Sequence, residues 1–291
     1  MFLAFVSNFW FYVCFGLGNS FCGHISFCLF EWQHFELSKH FKLTPFLWNG
    51  SKFRLARTII DAENPNIPTL QLGLTGYKDL LFTNYNYPKN YEPNGLDYDF
   101  LSNPLGVASL MITTDKKAIF LKRADWLGEN PGMIDVPGGH AEPENLKNDF
   151  DDEQKIIKEI FDSQKQEIME ETNTDMSLIT SHKMHGLFGL PPSKRPVTYF
   201  ITYVEKSAKE ILTAFNKTDE KYGQTAQEES SYLFEVDLQN LKEFWLKGEN
   251  MCGNGQFAAG VYLYSVGEIS REEFFEVVNR SVAFANKFEN K

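Results

Sequence analysis

Apolar and polar positions fall into short strand-like runs separated by turn residues, with a few stretches that keep the 3.6-residue beat of a helix. Lys52 to Ile60 and Thr69 to Leu74 read as strands, the second running into a turn at Gly76. Asn84 to Asn94, rich in Asn, Tyr and Pro, reads as a loop. Gly106 to Thr113 and Ala118 to Arg123 form a predicted hairpin around Asp115, Lys116 and Lys117, and Met133 to Val136 is a short strand leading to Gly138 and Gly139. Asp151 to Glu171 is predicted as one long helix, with Ile156, Ile157, Ile160, Phe161 and Ile168 on the face that packs on the sheet. His182 to Leu190 and Val197 to Val204 read as strands joined by a proline-basic loop. Glu205 to Ser230 is a polar, helix-prone insertion, and Ser231 to Val236 is another strand. Phe257 to Tyr264 sits in a late helix, and Phe274 to Lys287 is a terminal one. Strands and helices mixed in this way give an α+β class, with no internal repeat.

The helix carries candidate chemistry at its end. Glu167, Glu170 and Glu171 stand at i, i+3 and i+4, which gathers them on one strip of helix surface, predicted to face substrate while the isoleucines face the sheet. Three like charges so close repel, and a divalent cation resolves the conflict, since Mg²⁺ takes oxygen ligands and keeps places for water and phosphates. Glutamate pairs on helices are more often solvated faces, so the strip alone is a weak signal. Gly138 and Gly139, which let the backbone turn tightly and approach a ligand closely, make the combination far more specific.

The run PGGHAEPE (Pro137 to Glu144) followed by QEIMEETN (Gln166 to Asn173) resembles the signature of the Nudix hydrolases, which cleave nucleoside diphosphates linked to another moiety. Gly138 and Glu144 fit its first part, and Glu167, Ile168, Glu170 and Glu171 its second. Three features depart from the pattern. Gln166 stands for an arginine, Asn173 stands for a glycine, and residues 145–165 replace a seven-residue spacer. A long loop is tolerable because closure entropy grows only logarithmically with length. Phe41 to Leu55, Leu72 to Tyr85, Asn103 to Ala124 and, more weakly, Gly260 to Gly267 are similar to one branch of the family, the uridine diphosphate glucose pyrophosphatases.

The resemblance implies a Nudix α/β/α sandwich with a mixed sheet, preceded by a smaller β-containing N-terminal domain. The expected division is a hydrophobic extension over 1–31, an N-terminal domain contributing to the substrate pocket over 32–102, and the Nudix domain over 103–291. It implies Mg²⁺, with Mn²⁺ as a substitute, on Glu167, Glu170 and Glu171, and hydrolysis of UDP-glucose or UDP-galactose to UMP and a sugar 1-phosphate. The alternatives are a catalytically silent nucleotide-sugar binding module, or a Nudix hydrolase of another nucleoside diphosphate derivative. Glu229, with Glu228, precedes a strand where relatives often supply a further carboxylate as base or ligand. Gly138 or Gly139 is implied to offer a backbone contact, Tyr77 and Asn84 to touch sugar or base, and Arg123, with Lys122, Lys194 or Arg195, to touch phosphate. Turn, packing and surface-charge roles stand beside each of these. Glu142 and Glu144 are candidates for the metal shell, and His140 and His185 read as structural or substrate-edge residues.

Composition bounds the partners. With 291 residues, 43% of them hydrophobic, the chain can bury a large core. A net charge of −11 without a basic patch argues against nucleic acid as a partner. Residues 1–30 are crowded with aromatic and aliphatic side chains, and no Lys or Arg precedes Lys39. A secretory signal wants a basic start, and a membrane span wants a longer uninterrupted run. The segment is therefore expected to be an aberrant or lineage-specific start, and the protein cytoplasmic without membrane contact; secretory or membrane targeting by 1–30 is the alternative. Cys14, Cys22 and Cys28 lie in this segment and Cys252 stands alone, which is no disulfide framework for the body.

Overall fold

The computed structural model describes residues 4–5, 12–15, 50–59, 68–85, 101–127, 129–143, 146, 150, 152–190, 193, 195–216 and 229–288; the side chains of 4–5, 12–15, 190 and 280–288 are left aside. Most of the expected segment 1–31 therefore lies outside the described residues, as do Glu144, Lys194 and Glu228.

The chain runs β1 (Ala4–Phe5), β2 (Tyr12–Phe15), β3 (Ser51–Ile59), β4 (Thr69–Gly76), α1 (Tyr77–Thr83), β5 (Gly106–Ile112), β6 (Lys117–Arg123), β7 (Ile134–Asp135), β8 (Gly138–His140), α2 (Glu153–Thr172), β9 (Ile179–Leu190), β10 (Arg195–Val204), α3 (Ala208–Phe215), β11 (Ser230–Asp237), α4 (Leu241–Lys247), α5 (Gly253–Ser265) and α6 (Arg271–Phe288). The larger sheet has the order β1-β9-β10-β5-β6-β11, with β7 on β6 and β8 on β5; β2, β4 and β3 form a smaller one. The large sheet is mixed, because β10 runs parallel to β5 and antiparallel to β9.

All seven residues of β5 are buried, since the sheet is covered on both faces. Side chains alternate between the faces. Ala108, Leu110 and Ile112 join Val197, Tyr199 and Ile201 of β10 beneath Trp245, Phe257, Val261 and Phe274 of α4 to α6. Val107 and Phe200 face the other way, onto Ile156 and Ile160 of α2 and onto Phe53, Leu55, Leu70 and Leu72 of the small sheet. Met111 packs on that side too, with Ile168 of α2 and Ile211 of α3. This is the α+β arrangement, a mixed sheet between two outer layers, that the resemblance implies. The small sheet is joined to it by backbone as well as by side chains: Phe53 N–H donates to Ala141 O at 3.0 Å, and Leu105 N–H to Phe53 O at 2.7 Å.

Two elements differ from expectation. The turn foreseen at Gly76 opens helix α1, whose first turn is closed by Asp79 accepting from Gly76 N–H at 2.9 Å. Gly138 and Gly139 lie within strand β8 rather than in a turn. Strands β5 and β6 pair only at Met111–Ile119 and Ile112–Ala118 before they diverge. The segment carrying β7 and β8 enters that gap, β7 against Leu121 and Lys122, β8 against Gly106 to Ala108. The glycines are thereby laid beside α2.

Candidate functional site

Helix α2 is anchored at both ends. Asp152 caps its start, accepting from Gln154 N–H at 3.0 Å and Lys155 N–H at 3.2 Å. Asn173 ends it in the left-handed region (φ 55°), its N–H donating to Met169 O and its Nδ2 to Ala214 O at 3.0 Å. Burial of Ile156, Ile160 and Ile168 then fixes the rotation of the helix. Along the expected strip the glutamates differ in exposure: Glu171 is 3% exposed, Glu167 is half-buried, and Glu170 is open to solvent.

Strand β8 explains how a buried carboxylate is housed. Glu171 Oε2 accepts from Gly138 N–H at 2.7 Å, and the Glu167 carboxylate accepts from the backbone N–H of His140. A Cβ on Gly139 would lie 2.0 Å from Glu167 Oε1, and one on Gly138 would lie 2.5 Å from Val107 O. Gly138 is thus required by close approach to a neighbouring strand, and Gly139 leaves the Glu167 carboxylate its place against β8. Gln164 adds a third tie between helix and strand, Nε2 donating to Pro137 O at 3.2 Å.

Electrostatics mark the pair. Burial, then the charges of Glu170 and Glu229, push Glu167 up to about 8. Burial, then Glu167 and Glu229, push Glu171 well above the carboxylate range, against the pull of Gly138 N–H and Arg123. Glu171 Oε1 is buried with no hydrogen-bond partner. Exposed Glu229 stands close enough to raise both, and its carbonyl accepts from Ala124 N–H at 2.9 Å. Gln166, which stands where the Nudix signature has arginine, donates from Nε2 to Glu170 Oε1 at 2.5 Å and so orients that carboxylate. Among the described residues, no three His, Cys, Asp or Glu side chains already stand as a metal-binding cluster. A cleft of about 880 Å³ opens on the α2–β9 side and is lined by His140, Glu142, Glu167, Glu170 and His182 among others.

The remaining sequence candidates separate. Tyr77 lies between Glu129, Arg195, Arg123 and Glu229, and burial raises its phenol above the usual range. Arg123 reaches the same neighbourhood, where its guanidinium is paired with Asp135 at 3.5 Å and donates to Glu129 O at 3.0 Å. Asn84 is corrected as a substrate contact. It is 2% exposed, its Nδ2 donates to Asn103 Oδ1 and Ser193 O, each at 2.9 Å, and its Oδ1 accepts from Asn103 N–H at 3.0 Å. Its amide holds three chain segments together and has no group left for a ligand. Glu142, a candidate for the metal shell, is ion-paired with Lys52.

Sequence reasoning passed over Glu129 and gave Arg195 and His140 only general roles. Arg195 Nη1 donates to Glu129 Oε2 at 3.2 Å and to His140 Nε2 at 3.1 Å. Because a guanidinium cannot accept, that ring nitrogen must be the unprotonated one, and burial beside Arg195 holds His140 neutral, well below its ordinary pKa.

No protein-family model matches the chain. In sequence it is similar to uridine diphosphate glucose pyrophosphatase NUDT22 of Mus musculus, 31% identical over 49% of this chain and 51% of that one. It is 28% identical to the Homo sapiens protein of the same name, over 76% of this chain and 77% of that one. It is also 28% identical to Nudix hydrolase 9 of Arabidopsis thaliana, over 73% of each. The match spans about half the length of the mouse relative and about three-quarters of the human and plant ones. Among solved structures, a MutT protein from Methanosarcina mazei overlaps 60% of this chain and 92% of its own at 16% identity and a TM-score of 0.35, too loose a likeness to argue from.

Proposed function

The chain is a relative of the Nudix hydrolases, and from that premise we propose that it hydrolyses a UDP-sugar, UDP-glucose or UDP-galactose, to UMP and a sugar 1-phosphate. The observation that carries the proposal is the buried, mutually repelling pair Glu167 and Glu171 on the paired glycines of β8, with one Glu171 oxygen unpartnered. Like charges held in so little space call for a cation. The donors are hard oxygens, which suit Mg²⁺ or its substitute Mn²⁺. Glu167, Glu170 and Glu171 would hold the ion. Bound there, it would neutralise the diphosphate and make water more acidic.

The chain's own residues do the rest. Gly138 N–H and His140 N–H fix the two carboxylates in place. Gln166 steers Glu170, the role an arginine would have. Exposed Glu229, close to the pair, is the candidate to take a proton from the attacking water. That water forms a new bond to phosphorus as the anhydride oxygen leaves. Tyr77 lies on the same side and is our candidate for a substrate contact.

Glu171→Gln removes one charge with little change of shape. We expect UDP-glucose turnover to fall on the order of 10²-fold or more, with the thermal midpoint preserved or raised. Turnover within a few-fold of the parent would remove Glu171 from the machinery. A second reading, a nucleotide-sugar binding module without turnover, is favoured by Gln166 and Asn173 where the Nudix pattern has arginine and glycine. Binding of UDP-glucose without any product would decide for it.

A further inference from the structure

We propose that Glu129 and Arg195 form an uncharged-group subsite beside the glutamates, which recognises a neighbouring hydrogen-bond donor and acceptor on a neutral part of the substrate. The proposal rests on the nucleotide-sugar reading above.

Each partner of this ion pair keeps one buried atom without a hydrogen bond, Glu129 Oε1, an acceptor, and Arg195 Nε, a donor, while the Tyr85 hydroxyl joins Arg195 in hydrogen-bonding the Glu129 carboxylate. Buried polar atoms left unpartnered are costly, and Arg195 is only 8% exposed. The two orphan atoms are of opposite sense and belong to side chains already joined at 3.2 Å. A ligand edge that donates to Glu129 and accepts from Arg195 would satisfy both at once. The pair also stands next to the chemistry. Arg195 Nη1 donates to His140 Nε2, and the backbone N–H of the same histidine donates to Glu167. Tyr77 is within electrostatic reach of Glu129, Arg195 and Glu229.

Charge decides what fits. The Arg195 guanidinium is balanced by Glu129, and that of Arg123 by Asp135. A phosphate would meet a carboxylate as well as a cation and would gain little. A neutral group loses nothing to that carboxylate. Two parts of a UDP-sugar have the required edge: the uracil imide, with N3–H beside a carbonyl, and a pair of adjacent hexose hydroxyls. Glu129→Gln separates occupant from scaffold. The Gln carbonyl remains opposite Arg195 Nη1, so its amide N–H₂ replaces the free acceptor with a donor.

The test is calorimetric binding of UMP and of glucose 1-phosphate, separately, to the full chain and to Glu129→Gln, without turnover. We expect one ligand to weaken about tenfold or more while the other is unchanged. Loss confined to UMP places uracil at the pair; loss confined to glucose 1-phosphate places the hexose there. A folded variant that binds both as the parent does, or loses both equally, overturns the subsite. Should Glu129→Gln not fold, the unaltered protein is titrated with N3-methyl-UMP and with the 2-deoxy, 3-deoxy and 4-deoxy forms of glucose 1-phosphate. Either the uracil analogue or at least one deoxy sugar should bind about tenfold more weakly than its parent ligand, and binding of every analogue equal to its parent overturns the proposal. UDP-glucose turnover is read in parallel, so that selective binding without turnover would defeat the hydrolase reading and leave the subsite standing.

Discussion

A Cβ at residue 139 would stand 2.0 Å from Glu167 Oε1, so Gly139 and the Glu167 carboxylate share a space with room for nothing more. Gly139→Ala must displace the carboxylate, the far end of a flexible side chain, so the fold loses little while the site is disturbed. The variant should melt near the parent and lose most turnover; normal turnover would mean that Glu167 does not need its place against the strand. The glycine pair was legible in the sequence as a site of close approach. Its neighbour was not, because a single chain does not say which distant carboxylate will lie against it. Two of the three departures from the Nudix pattern have physical accounts at this scale. Asn173 occupies a left-handed cap position that glycine and asparagine both tolerate, and Gln166 supplies a donor to Glu170. Glu129 carried no signal at all, since its meaning depends on Arg195, 66 residues away in the chain.

Helix α2 was the most readable element, because its isoleucines recur at helical spacing and its ends carry Asp152 and Asn173. The predicted span, Asp151 to Glu171, lies within two residues of the observed one. Asp152→Ala should remove the cap and lower stability by about 1 kcal/mol in a thermal melt, with turnover kept, because the glutamates lie at the opposite end. A large loss of turnover would mean that the first turn takes part in positioning the site. Shorter elements were harder to read. Helix α4 has seven residues, too few to establish a period, and β8 is Gly-Gly-His, which has no alternation to read. At α1 the Asp79 closure and the burial of Leu80, Leu81 and Phe82 override the turn signal of Gly76.

Among the described residues the molecule is a mixed sheet covered on both faces, and the candidate site lies where β7 and β8 enter the gap between β5 and β6 next to α2. Composition and strand pattern were enough for the class, but not for the way the small sheet shares a core with β5 and α2. That contact depends on pairing between distant segments. The division at residue 102 accordingly remains a proposal about folding units. Among the described residues, no helix is long and apolar enough to cross a membrane. The proposed nucleotide-sugar substrate is anionic, and a molecule of net charge −11 would draw it against its own field, so a divalent cation should matter greatly to turnover. The central measurement is product identification after the full chain meets UDP-glucose with Mg²⁺, separated by chromatography, with and without EDTA. The account predicts UMP and glucose 1-phosphate in equal amounts, both abolished by EDTA. UDP with free glucose, or product formation indifferent to EDTA, would contradict it.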